Sequence, residues 1–245
     1  MRKLGYAIDE ISDLGMFGHG LVLREIDWPA PEDLAIVDLI ELYLEIESGT
    51  DQDQGGIVVQ LIGASSGAGA AMTALDMAWA AVGILGKKVL VLNCTATPWT
   101  RPSSQDDDED DEDDAEPTGS SVKPMSRTDD LVKVSGTEFY MADVRSWYGH
   151  NGAMAKTQEI RGHIDEFRRY FDMVLVVAPA ADSDPLGAIM ARHVDGNILV
   201  IEAEWTPRSS AVRLREILSR CGRPILGTVL TDRQTHIPRW LAHLL

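Results

Sequence analysis

The sequence predicts an α/β fold: a mostly parallel, doubly wound sheet with helices on both faces, in a single domain. Three observations carry that expectation. First, residues 56–95, GIVVQLIGASSGAGAAMTALDMAWAAVGILGKKVLVLNCT, spell strand, glycine turn, helix, turn and strand, which is one βαβ unit. Second, the later run MVLVVAPA is apolar without alternation, as a strand buried on both faces is, and ILVIEAE reads the same way. Third, these strands alternate with helical patterns, and 245 residues suffice for one α/β domain with a full core.

Residues 1–29 are mixed, and Gly15, Gly18 and Gly20 break any helix there. With Pro29 and Pro31 as punctuation, residues 1–33 read as an N-terminal arm ahead of a domain spanning 34–245. Glu32 and Asp33 suit a helix N-terminus. Ile36, Leu39, Ile40, Tyr43 and Leu44 then fall close to helical spacing, so residues 34–46 predict an amphipathic helix. A polar loop leads into the first core strand at 57–62. Residues 70–85 are rich in helix formers, and Gly86 follows as a C-terminal stop. The second core strand is expected at 89–92.

Past residue 98 the pattern changes. Residues 99–130 hold Pro, Ser, Thr and the run DDDEDDEDDAE. Such a block buries no apolar surface and its charges repel, so it is expected to be a disordered insertion. Short strands are predicted at 131–134 and 138–141, and a helix over 154–170. A buried strand opens at Met173 and a helix covers 185–192. After the ILVIEAE strand a helix spans 206–221, with Thr206 as its cap and Pro207 in its first turn. The last strand covers 224–230, and 237–245 forms a short amphipathic tail.

Charge and composition narrow the function classes. Ten acids fall within 106–116, so the rest of the chain carries −7 of the total −17. A mildly acidic body argues against nucleic acid as a partner. Cys94 and Cys221 have no metal or disulfide spacing and read as reduced, packed thiols. No signal peptide and no spanning helix are evident, which predicts a cytoplasmic protein.

The glycine turn is where chemistry is expected. Between a strand and a helix, free backbone N–H groups and the helix dipole point at one spot, the usual seat of a phosphate. Ser66, Gly67, Ala68, Gly69, Ala70, Ala71 and Met72 form this candidate anion nest.

The order of these elements resembles one family. GKKVLVLN after a glycine turn, RRYFDMVLVVAPA, HVDGNILVIEAEWTPRSSAVRLREIL and GRPILGTVLTDRQTHIPRWL are similar to the cytoplasmic kinase domain of bacterial tyrosine kinases (BY-kinases) of polysaccharide export, within the MinD/ParA-type P-loop NTPases. The resemblance runs from about Leu34 to the C-terminus, with a gap at the acidic insertion. It implies a P-loop NTPase-like fold and a site for ATP and Mg²⁺. In register, Gly67 and Gly69 match family glycines. Ala70 stands where the phosphate-binding lysine belongs and Ala71 where the metal-binding hydroxyl belongs. Asn93 and Thr95 replace two aspartates, Val177 a third, and Thr231 the base-reading asparagine. Thr73 has a hydroxyl, but two residues late on the helix. The family's substrate tyrosines are missing from the tail. The ring-forming arginines are missing from the first helix, DLIELYLEIES; a homo-oligomer by another route is left open.

These replacements predict no catalytic residue, no metal ligand and no cofactor, with ATP and Mg²⁺ bound only if the backbone nest still suffices. Asp182 and Asp184, beyond the third core strand, are the two loop acids within reach of a metal; solvated acids or a helix cap is the simpler expectation. The resemblance therefore implies an inactive pseudo-kinase or pseudo-ATPase of exopolysaccharide synthesis or export. Its expected partner is a membrane chain-length or copolymerase protein, which would hold it at the inner face of the plasma membrane. Two alternatives stand beside it. One is a divergent active autokinase or ATPase using Thr73, Asp182, Asp184 or a lysine such as Lys87 or Lys156. The other is a MinD/ParA-like positioning or cellulose-synthesis accessory protein.

Overall fold

The computed structural model describes residues 22–28, 30, 36–49, 55–97, 99, 130–144 and 157–231. In chain order the elements are β1 (Val22–Ile26), α1 (Ile36–Gly49), β2 (Ile57–Gly63), α2 (Ala70–Gly83), β3 (Val89–Asn93), β4 (Asp130–Val134), β5 (Phe139–Asp143), α3 (Thr157–Tyr170), β6 (Met173–Ala178), α4 (Leu186–Met190), β7 (Gly196–Glu202), α5 (Arg208–Ser219) and β8 (Ile225–Thr231). They build one sheet in the order β1-β4-β5-β3-β6-β2-β7-β8. Every neighbouring pair is parallel except β4 with β5. Only a four-residue turn joins those two strands, too short for a parallel crossover.

The unalternating strands are buried on both faces. Every residue of β2, β3, β5 and β6 is buried. On one face Val59, Leu61, Val91 and Leu175 meet Ala74, Leu75 and Ala78 of α2 and Tyr43 and Ile46 of α1. On the other face Val58, Leu90 and Val174 meet Ile160, Ile164 and Phe167 of α3. That i, i+4, i+7 spacing explains why α3 buries one stripe. Further along the same face, Ile62 and Leu199 pack on Leu214 and Leu218 of α5. α2 carries the chain from β2 past β6 to β3, and α4 carries it from β6 past β2 to β7. The crossovers thus leave in opposite directions, which opens a crevice at the carboxyl ends of β2, β3 and β6.

The opposite, amino edge is clamped. Arg168 and Asp195 form a bidentate pair, with Nη1–Oδ2 at 2.6 Å and Nη2–Oδ1 at 3.0 Å. Arg168 Nη1 also donates to the Gly56 carbonyl at 2.8 Å, and the Val58 N–H donates to Asp195 Oδ2 at 2.8 Å. A Cβ on Gly56 would lie 1.8 Å from the Phe171 carbonyl oxygen, so only glycine fits there. The Lys88 N–H donates to Asp172 Oδ2 at 2.7 Å. The segments RRYFD and HVDG therefore fasten the starts of β2, β3, β6 and β7 together.

Sequence and structure differ at a few ends. Val22–Ile26, inside the stretch read as an arm, is the edge strand β1, paired in parallel with β4. α2 stops at Gly83; beyond it Gly86 takes a φ of 63°, and the Lys87 N–H closes onto the Ala81 carbonyl at 3.1 Å. The acidic run, Lys156 and the 237–245 tail lie outside the described residues.

Candidate functional site

The carboxyl ends of β2, β3 and β6 open onto a cavity of about 820 Å³. Its floor is the β2–α2 turn: Ser66, Gly67, Ala68, Gly69, Ala70, Ala71 and Met72 all line it. Its walls are Cys94 to Thr97 after β3, Val177 to Ala180 at the end of β6, and Ser183, Asp184 and Leu186 around the start of α4.

The turn is held in shape by its glycines and by two distant threonines. Gly67 and Gly69 have φ of 92° and 77°, in the left-handed region that a side chain disfavours. Thr73 turns away from the cavity, its N–H and its hydroxyl both donating to the Gly69 carbonyl, at 2.9 and 3.0 Å. The Thr231 hydroxyl donates to the Ala68 carbonyl at 3.0 Å, so the end of β8 is pinned to the turn. The residue expected in place of a base reader is thus a brace beneath the turn. Thr206 was expected to cap α5. Instead the N-cap is Pro207, with no side-chain bond. Thr206 Oγ1 accepts from the Glu202 N–H at 3.1 Å and pairs with the Ser65 hydroxyl at 3.2 Å, tying the β7–α5 turn to the glycine turn. A threonine at a strand's carboxyl end was the available signal for both braces, but nothing local names its partner.

Among the described residues lining the cavity, Asp184 is the one with a formal charge. Its Oδ1 accepts the Leu186 N–H at 2.8 Å, which ties it to the first residue of α4, whose N-cap position is Pro185. Asp182 is exposed and does not line the cavity. Asn93 is buried and both ends of its side-chain amide are engaged. Oδ1 accepts from the Thr95 N–H and hydroxyl at 2.9 and 2.7 Å, and Nδ2 donates to the Thr97 carbonyl at 2.7 Å. Val177 puts a buried isopropyl group at the end of β6. Burial pushes the Cys94 thiol far up, and the nearby Asp143 charge adds to the shift, so the thiol stays neutral. Lys87 pairs with Glu47 at 3.2 Å, at the amino end of β3 and away from the cavity. Among the described residues no group of three His, Cys, Asp or Glu is placed to hold a metal ion. The described lining does not match a magnesium-bound triphosphate. Its described residues offer the metal one carboxylate, already bonded to a backbone N–H, and the phosphates no side-chain cation.

No protein-family model matches the chain, and no curated protein matches it. Solved structures do. The chimerical protein CapA2B2 superposes with a TM-score of 0.59 at 12% identity, over 92% of this chain and 100% of that one. The kinase domain of the Escherichia coli tyrosine kinase ETK gives 0.58 at 12% identity, over 92% and 96%. The VpsO kinase domain gives 0.52 at 16% identity, over 81% and 97%. The fold is that of the bacterial tyrosine-kinase domains. At these identities the likeness concerns the frame, so the tyrosine-kinase fold places the glycine turn but says nothing about which side chains surround it. No described helix is long and apolar enough to cross a membrane.

Proposed function

We propose that this chain is a non-catalytic protein built on the tyrosine-kinase frame, a pseudo-kinase of bacterial exopolysaccharide synthesis or export. It works on the cytoplasmic side of the membrane, by contact with a membrane chain-length or copolymerase protein. The observation that carries this reading is the lining of the 820 Å³ cavity, with Ala70, Ala71, Thr95 and Val177 in it and Asn93 at the end of β3 beside it, where phosphates and Mg²⁺ need an ammonium, a hydroxyl and carboxylates. A lysine ammonium about 4 Å from a phosphate oxygen contributes on the order of 4 kcal/mol at a surface-like dielectric, or roughly a thousandfold in affinity. Support for the pathway is the resemblance of the late segments to the kinases of polysaccharide export.

Calorimetry with Mg·ATP and an autophosphorylation assay test the inactive reading; neither is expected to give a signal. Micromolar binding that Gly69→Arg weakens would overturn it. Membrane fractionation tests the partner. The chain is expected in the membrane fraction only when the chain-length protein is co-expressed, and a soluble distribution in both cases would remove that part of the proposal.

A further inference from the structure

Arginines gather on one side of this acidic molecule. From Arg208 to Arg223, along α5 and the turn into β8, five arginines stand against one acid, Glu216. Arg192, in the turn before β7, joins them, its carbonyl accepting from Arg223 Nε at 3.4 Å. All six arginines are exposed. None makes an ion pair among the described residues, whose pairs involve Lys87, Lys133, Arg161 and Arg168. The charges of two of them, Arg192 and Arg223, reach His193. Burial lowers its pKa first, and the charges of Arg161, Arg223 and Arg192 lower it further against the opposing Asp165. Crowded like charges destabilise a surface unless an anion covers them. The choice of cation is also informative: no lysine follows Lys156 in the sequence. The planar guanidinium fork suits two-point bonding to carboxylates, where an ammonium is only a point charge.

The chain carries the matching charge itself, ten carboxylates within residues 106–116. We propose that the arginine face of α5 and its flanking turns is the docking surface for this acidic run of the same molecule. The tether is long enough. Trp99, the last described residue before the run, is buried on the α1 and α2 side of the sheet, and residues 106 and 116 lie seven and seventeen positions beyond it, roughly 23 and 56 Å of extended chain at about 3.3 Å per residue. α5 packs on the opposite face beside β7, three strand positions from β3, so the run rounds the carboxyl edge of the sheet and crosses roughly 14 Å of strands at about 4.8 Å each. A tethered segment acts at an effective concentration in the millimolar range, ahead of free anions. The inference is independent of what the cavity binds.

A spin label on Ser104→Cys, in the full chain with Cys221→Ser, tests the contact by paramagnetic broadening of backbone amides. Broadening is expected across 208–223 in dilute buffer. It should be lost near 1 M salt, where the Debye length falls to about 3 Å, and lost in the Arg213→Gln, Arg215→Gln, Arg220→Gln variant. No broadening, or broadening elsewhere, overturns the proposal. Broadening seen only between labelled and isotope-labelled copies moves the run to a second molecule and also overturns it. Heparin retention is the second measurement. Replacing the ten acids by their amides should expose the arginines and raise the salt needed for elution, and the Arg→Gln changes should reverse that rise. An elution that the Arg→Gln changes leave unaltered refutes the docking surface.

Discussion

Arg168→Ala should be among the most damaging single changes in the described molecule, although it lies at the edge of the sheet opposite the cavity. The guanidinium makes two bonds to Asp195, at 2.6 and 3.0 Å, and one to the Gly56 carbonyl, at 2.8 Å. The two side chains are only 8% and 11% exposed. Removing the arginine leaves the Asp195 charge buried, with the Val58 N–H as the remaining hydrogen-bond donor to it among the described residues. Stripping one member from a buried pair costs about 3–5 kcal/mol, a large part of the roughly 5–15 kcal/mol that holds a protein folded. At about 2–4 °C per kcal/mol for a chain of this size, the melting point should fall by roughly 6–20 °C. Urea unfolding at neutral pH measures the change through its midpoint, at unchanged slope. The double variant Arg168→Met, Asp195→Leu should recover much of the loss, because neither charge is then stranded. A cost below about 1 kcal/mol for Arg168→Ala would refute the clamp, since that is the scale of an exposed pair.

Four further outcomes are expected. Ala70→Lys with Ala71→Ser should raise affinity for Mg·ATP, by up to about a thousandfold from the restored ammonium, read by calorimetry; no gain would mean that the missing side chains are not what limits binding. Gly69→Ala should cost about 1–2 kcal/mol in chemical denaturation, because φ is 77° there and the new Cβ would meet Thr231 Cγ2 at 3.1 Å. Iodoacetamide should alkylate Cys221 in the native protein and leave Cys94 until unfolding. Because the folded Cys94 thiol titrates above its ordinary 9.0, the stability it confers is complete below that value and declines as pH rises past it, by about 1.4 kcal/mol per pH unit.

The sequence by itself determined the parts whose physics is local. Alternation of apolar runs and helical stripes marks every core strand from β2 to β8 and the helices between them, because burial on two faces or on one stripe leaves a periodic trace. That Ala70, Ala71, Asn93, Thr95 and Val177, with no lysine or carboxylate among them, stand at the glycine turn and the strand ends is likewise visible in the chain alone. β1 was not, since VLREI is a short edge strand with two charges in five residues, and edges are charged to discourage pairing. Only the tertiary structure decided the strand order, that Asp184 rather than Asp182 lines the cavity, and what the threonines and the amino-edge arginine hold. Thr231 reaches Ala68 across 163 residues, Thr206 reaches Ser65 across 141, and Arg168 reaches Gly56 across 112. A hydroxyl or a guanidinium has the same local preferences whichever partner it meets, so those partners are chosen by how the strands stack and not by any pattern along the chain.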